Sequence, residues 1–280
     1  MNSQEFAISI IIPTYKPQGY VLECFESIGG QSFDKANFEV IIVLNGDRDP
    51  YYSFLEKYLL CCNFNYRLFH TDVKGVSNAR NIGIDQSNGR YLTFVDDDDI
   101  ISTNYLQELY EIANNNIMPL SNSKAFENKI AVTMNYRVAK FYNKMADKKL
   151  THFNTRLYFS FPFCKLIARE IIGQQRFDPR FQNGEDALFM FAISKNVNKM
   201  QFANEDVVYY RRVRNNSLMT RKVSVIYIIK NCFGLILATT NIYVKTPVEY
   251  GFFFYFFRIL AILRTTFFMM KRVFSTSGKS

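Results

Sequence analysis

Four times in roughly the first 115 residues, an apolar run suited to a strand gives way to a segment with helical spacing. FAISIIIPTY (6–15) is a β-branched run stopped by Pro13, and GYVLECFESIGGQSF (19–33) carries apolar residues at helical intervals before Gly29-Gly30. FEVIIVLNGD (38–47) and YYSFLEKYLLCC (51–62) repeat the pair, followed by NYRLFHT (65–71) with GVSNARNIGIDQSNG (75–89). RYLTFVDDDD (90–99) and STNYLQELYEIANNN (102–116) complete it, the last opening on Ser/Thr caps. Such alternation predicts an α/β fold, with a mostly parallel sheet flanked by helices. In sheets of this kind, ligands bind in the crevice beyond the carboxyl ends of the strands.

Three strand tips therefore matter: Pro13-Thr14-Tyr15, Leu44-Asn45-Gly46-Asp47, and the run Asp96-Asp97-Asp98-Asp99. Neighbouring carboxylates repel one another and raise each other's pKa unless a cation sits among them. On an extended strand Asp96 and Asp98 would point the same way. Oxygen donors of that kind suit Mg²⁺ or Mn²⁺ with open positions for phosphate oxygens. A solvated acidic turn capping the next helix is the plainer alternative; the position after an apolar strand favours the metal. Glu185-Asp186 forms a second acidic site before the apolar ALFMFA. It reads either as a helix N-cap or as a general base for an acceptor hydroxyl. Arg80, and later Arg211, Arg212 and Arg214 followed by Asn215-Asn216-Ser217, could pair with phosphates.

Between these motifs the pattern is less regular. KIAVTMNYRVAKFY (129–142) reads as one or two strands, a helix is expected from about Lys165 to Gly173, and EDVVYYRRVRNNSLM (205–219) as a strand and a basic loop. The formal net charge of +9 is unevenly placed. Residues 1–206 hold 22 Lys/Arg against 24 Asp/Glu, whereas residues 207–280 hold 12 Lys/Arg and a single acid, Glu249. Such an asymmetry points to a basic segment that meets an anionic surface. Five cysteines without CxxC spacing and only two histidines make a zinc site improbable. MNSQEFAISIIIP lacks a basic region before a long apolar stretch, so no secretory signal is expected and the cytoplasm is the default compartment.

The order IIIPTY, EVIIVLNGD, GVSNARNIGI, YLTFVDDDD and FDPRFQNGEDALF resembles family 2 of the glycosyltransferases over about residues 6–220. The resemblance implies a GT-A (Rossmann-like) fold, with 1–116 as the nucleotide-sugar-binding half and 117–220 as the acceptor half. It also implies an inverting transferase that uses a nucleotide-diphosphate sugar, a UDP-sugar by default, with Mn²⁺ or Mg²⁺. Position by position, it sets Pro13, Thr14 and Tyr15 against the nucleoside, and Asn45 where the family usually has an Asp that reads uracil. Arg80, Asp96 and Asp97 fall near the nucleotide and Asp98 on the metal. Asp186 is implied as catalytic base with Glu185 on the acceptor side, and Arg212, Arg214 and Ser217 as diphosphate contacts. The acceptor would be a saccharide or lipid-linked saccharide in surface polysaccharide synthesis. Transfer to polyprenyl phosphate, or a silent nucleotide-sugar-binding scaffold, are the alternatives.

Residues 221–280 lie outside that pattern and read as an apolar, basic helical tail. On a helix, Arg258, Arg264, Thr265, Lys271 and Arg272 fall within one arc, with Phe and Leu filling much of the rest. That suits an amphipathic helix on the anionic inner face of the cell membrane better than one crossing it. Packing on the chain's own domain, or on a second copy in a homo-oligomer, is the alternative. Basic residues mixed with phenylalanines, without a recognition motif, argue against nucleic acid.

Overall fold

The computed structural model describes residues 6–127, 130, 132–134, 136–146, 148–214 and 224–277, the last three of these by backbone alone. The Ser217 expectation lies outside the described residues. β1 (Ile8–Thr14), β2 (Phe38–Asn45), β3 (Asn65–Thr71) and β4 (Tyr91–Phe94) form the parallel part of a five-stranded sheet in the order β3-β2-β1-β4-β9. The short β9 (Ile167–Ala168) closes its edge antiparallel to β4. Every residue of β1, β2 and β4 is buried, as the unbroken apolar runs require of strands covered on both faces. The connecting helices are α1 (Tyr20–Gly29), α2 (Tyr51–Leu59), α3 (Val76–Gln86) and α4 (Tyr105–Ile112).

Beyond α4 the chain builds a second layer. β5 (Ile100–Ile101), β7 (Asn122–Phe126), β8 (Thr133–Met134) and β11 (Val208–Arg212) make a four-stranded sheet, order β5-β11-β7-β8. β6 (Ile117–Leu120) pairs in parallel with β10 (Lys199–Phe202). Among its described residues, the stretch expected to be one or two strands over 129–142 holds the two-residue β8, then α5 (Arg137–Met145). Val138, Ala139, Tyr142 and Met145 bury one face of α5 at helical spacing, which outweighs the local β-branched pattern. The helix expected over 165–173 shrinks to β9 and one turn, α6 (Arg169–Ile172), because Ile167 and Ala168 pair with β4.

α7 (Glu185–Ser194) runs through the core, and its N-terminus carries the Glu185-Asp186 pair. α8 (Val225–Lys245), the single turn α9 (Pro247–Tyr250) and α10 (Phe252–Ser277) make up the tail. α8 packs against α10 and α7. Leu235 of α8 packs with Phe181 and Leu188, and a side chain at Gly184 (φ +90°) would meet Leu235 at 2.6 Å. Tyr250 donates to the Ala192 carbonyl of α7 at 2.9 Å. Arg258 does not join an outward-facing cationic arc: it is 6% exposed and donates to the Phe159 carbonyl at 2.6 Å. By length and composition alone, α8 and residues 252–274 of α10 are each apolar enough to cross a membrane.

Candidate active site

Strand register puts the site together. β1 and β4 pair with Ile11 opposite Phe94, and Val95 continues the ladder by donating to the Ile11 carbonyl. Three residues further on, Thr14 comes level with Asp97, and the Thr14 hydroxyl donates to that carboxylate at 2.5 Å. The strand ends there. Asp99 N–H donates to the Asp96 carbonyl in a tight turn, so Asp96 and Asp98 are not alternate residues of an extended strand.

Tyr209 of β11 holds the turn from the other side. Its hydroxyl donates to Asp99 at 2.6 Å and accepts from the Asp96 backbone N–H at 3.1 Å. Asp99 also accepts from the Arg212 backbone N–H at 2.7 Å. Nothing in the local sequence marks Tyr209, because its role depends on β11 lying antiparallel to β5. A tyrosine in a strand some hundred residues after an acidic turn was the only available signal.

Arg80 links this turn to the second acidic site. From α3 its guanidinium donates to Asp96 at 3.0 Å and to Asp186 at 2.6 Å. Burial works against its charge, but Asp186, Asp96 and Glu185 outweigh it and raise its pKa. The next residue, Asn81, donates to and accepts from the Phe177 backbone at 2.8 Å each way, tying α3 to the loop before α7. Phe177 also lies under the Arg80 guanidinium.

Asn45 donates to the Thr14 carbonyl at 2.8 Å and accepts from Gly75 N–H at 2.9 Å, so it fastens the β1 and β2 tips to the start of α3. Pro13 lies within buried β1, while the Tyr15 ring is 44% exposed at the crevice mouth. A Cβ at Gly46 (φ +93°) would meet that ring at 2.8 Å. Arg214 pairs with Asp98 at 2.6 Å. Arg212 is held by the Asp98 carbonyl at 2.9 Å and by Glu23 at 2.9 Å. Thus Pro13, Thr14, Asn45, Arg80, Asp96, Asp97, Asp98, Glu185, Asp186, Arg212 and Arg214 form one connected cluster, with Tyr15 at its rim.

Charge in the cluster is unbalanced. Asp96 to Asp99, Glu185 and Asp186 face Arg80, Arg212 and Arg214. Burial pushes Asp97 up to about 7 against the Thr14 hydrogen bond, and Asp98 and Asp96 add to the rise. Burial, then Asp96, raises Asp98. Glu185 rises to about 7 through burial and then through Asp186, while burial raises Asp186 against the opposing pull of Arg80. Such unrelieved repulsion fits a site completed by a cation. Among the described residues no group of three His, Cys, Asp or Glu is arranged to hold an ion. Asp96 and Asp98 carry the oxygen donors that a hard divalent ion takes, and each is held by an arginine, Asp96 by Arg80 and Asp98 by Arg214.

A doubly layered α/β frame with an acidic turn at the carboxyl edge of its sheet, bridged to an acid pair, is the architecture of the GT-A glycosyltransferases. The glycosyl transferase family 2 model matches residues 9–173, and the chain belongs to that family. It is 24% identical over 214 residues to the poly(ribitol-phosphate) beta-N-acetylglucosaminyltransferase TarS of Staphylococcus aureus, covering 76% of this chain and 36% of TarS. It is 27% identical over 227 residues to the glycosyltransferase GlyG of Streptococcus pneumoniae, covering 76% and 72%. The fold matches S. aureus TarS 1-349 in complex with UDP-GlcNAc at a TM-score of 0.68, with 22% identity over 84% of this chain and 67% of that one. It also matches the mannosyltransferase PcManGT of Pyrobaculum calidifontis in complex with GDP-Man and Mn²⁺ at 0.60, with 14% identity over 97% and 76%. The family and the GT-A fold expected from the sequence are borne out.

Proposed function

We propose that this glycosyltransferase moves a sugar, with inversion, from a nucleoside-diphosphate sugar to a hydroxyl of a saccharide or lipid-linked saccharide during surface polysaccharide synthesis. The observation that carries the reading is the Arg80 bridge, which sets Asp186 beside the acidic turn where a nucleotide sugar would lie. UDP is the expected nucleotide, in keeping with the UDP-GlcNAc complex of TarS. Membership of the family and the intact acids at 96, 98 and 186 weigh against a silent scaffold.

The Pro13-Thr14-Tyr15 tip lines the nucleoside side, with the exposed Tyr15 ring as its outer wall. Asn45 fixes the floor through its two backbone bonds. Asp96 and Asp97 lie toward the ribose and sugar. A divalent ion held by Asp98 would supply Lewis-acid stabilisation of the departing diphosphate. Arg214, at 39% side-chain exposure against 4% for Arg80 and 10% for Arg212, is the arginine best placed to leave its carboxylate for a phosphate.

Asp186 takes the proton of the acceptor hydroxyl as that oxygen attacks the anomeric carbon opposite the leaving group. A side-chain exposure of 23% lets an acceptor reach it. Glu185 stands on the acceptor side. The transition state is oxocarbenium-like, as in glycoside hydrolysis. The exposed apolar faces of α8 and α10 rest on the inner face of the cell membrane. Contacts of Leu235, Tyr250 and Arg258 with the catalytic layers hold both helices against the domain.

Asp186→Asn tests the base: transfer should fall by about 10²–10⁴-fold with donor binding unchanged. Loss of donor binding, or a product that keeps the donor's anomeric configuration, would overturn the mechanism.

A further inference from the structure

Away from the acidic crevice, α5 and α10 face each other across a groove of about 310 Å³. α5 lines it with Arg137, Lys140 and Lys144, spaced at three and four residues so that they share one helix face. α10 lines it with Phe254, Phe257, Arg258 and Ala261, a stripe of the same kind. Arg156 and Ser160, with Phe141 and Leu157, complete the wall. Among the described residues, five cations line the groove and no acid does.

Arg258 is the unusual member. It is 6% exposed, yet it has no carboxylate partner among the described residues, and burial alone lowers its pKa to about 10. Two of its nitrogens reach the Phe159 carbonyl and the Ser160 hydroxyl, while its buried Nε has no partner. A buried guanidinium without a counter-charge is costly, and leaving its N–H unsatisfied adds to that cost. It is cationic at neutral pH and faces a groove whose other charges have the same sign.

A larger cavity, about 550 Å³ around the start of β4 and β9, makes the contrast. There Arg169 is bound to the Ser87 and Gly89 carbonyls, Arg176 to Asp85 and Arg90 to Asn115. Its cations are occupied by the protein.

We infer that the groove between α5 and α10 binds the phosphate headgroup of an anionic membrane lipid. This deepens the membrane-surface reading above and rests on it. The lipid source follows from what adjoins the groove. Along α10, Phe252, Phe253, Phe256, Leu260, Leu263, Phe267 and Phe268 are exposed, so an acyl chain would find an apolar surface beside the phosphate site. Phe257 in the groove would meet the start of the acyl chains while Lys140, Lys144 and Arg258 take the phosphate oxygens. Seated there, the lipid would fix which face of the catalytic layers meets the membrane.

The test uses the full chain and vesicle flotation, with phosphatidylcholine alone or mixed with phosphatidylglycerol. Lys140→Gln with Lys144→Gln removes two exposed groove charges; Arg264→Gln with Lys271→Gln removes two farther along α10, outside the groove. Two basic residues near an anionic surface are worth about thirtyfold by diffuse attraction alone, so the groove pair should weaken binding to anionic vesicles by more than that. The distal pair should weaken it by no more than that diffuse amount, and donor-induced thermal stabilisation should be unchanged in both. Equal losses from both pairs would mean diffuse attraction and overturn the groove while leaving the membrane reading intact. Equal binding to neutral vesicles would assign the attachment to the apolar face instead. Displacement by inorganic phosphate alone would overturn the lipid as occupant. Failure to bind any vesicle would remove the membrane reading as well.

Discussion

Arg80 and Asp186, 106 residues apart in the chain, meet at 2.6 Å, and the same guanidinium holds Asp96 at 3.0 Å. One side chain thus couples the donor-side turn to the proposed base, and it pulls the Asp186 pKa down against burial. Arg80→Ala would leave two carboxylates near each other without their cation. Breaking a buried pair in this way costs about 3–5 kcal/mol. The acid limb of the pH–rate profile should also move to higher pH, because Asp186 would hold its proton longer. Arg80→Lys keeps the charge but cannot span both carboxylates, so it should recover stability better than rate. Chemical denaturation and a pH profile of transfer check the two effects. An unmoved acid limb in Arg80→Ala would separate Arg80 from the base.

How much of this was legible beforehand depends on whether the signal was local. The four strand–helix pairs, the acidic run and the ED pair each carry their message within a few residues, and the structure brings them together at the carboxyl edge of the sheet. β6, β7 and α5 were not legible. IMPL and NSKAF become strands only because β10 and β11 lie beside them. Tyr209 was missed for the same reason, and Arg258 because a helical projection cannot tell outward from inward. The Asp96–Asp98 pair was expected on an extended strand, but the hydrogen bond between Asp99 and Asp96 turns the chain first.

Tyr209→Phe removes one hydroxyl and two hydrogen bonds while keeping the ring that stacks on Phe163. The buried Asp99 carboxylate then loses a donor, a loss of about 1–3 kcal/mol. Urea unfolding should show that loss. Because the acidic turn loosens, donor affinity should fall with it. A variant with unchanged donor affinity would mean that the turn holds its shape without Tyr209.

Gly83→Ala tests how α3 carries Arg80. A Cβ at Gly83 would collide with the Ile11 side chain of β1, since the helix sits on the sheet through the missing side chain. Overpacking of this kind costs about 1–3 kcal/mol. Any retreat of α3 from β1 also draws Arg80 away from Asp96 and Asp186. Transfer should therefore fall more steeply than thermal stability, and Ile11→Ala in the same chain, which removes the Cγ2 that the new Cβ meets, should restore part of the rate. Loss of stability with a full rate would show that α3 yields without moving its arginine.

Lys165 gives a pH-dependent signal of its own. Its side chain is fully buried and donates to the Tyr158 and Phe161 carbonyls at 2.6 Å each, which matches the two N–H groups of a neutral amine. Burial lowers its pKa to about 7, with Cys164 and Asp186 opposing. In the unfolded chain the amine keeps its proton up to about pH 10. Between about pH 7 and pH 10 the unfolded state therefore binds more protons, and stability from this group rises with pH across that window. Below about pH 7 both states are protonated and the contribution is lost. Lys165→Met abolishes the titration and leaves the two carbonyls without their donor, so it should be less stable throughout. The gap between the urea midpoints of wild type and variant should widen as pH rises through the window. Parallel midpoints would mean that the buried lysine stays protonated in the folded protein.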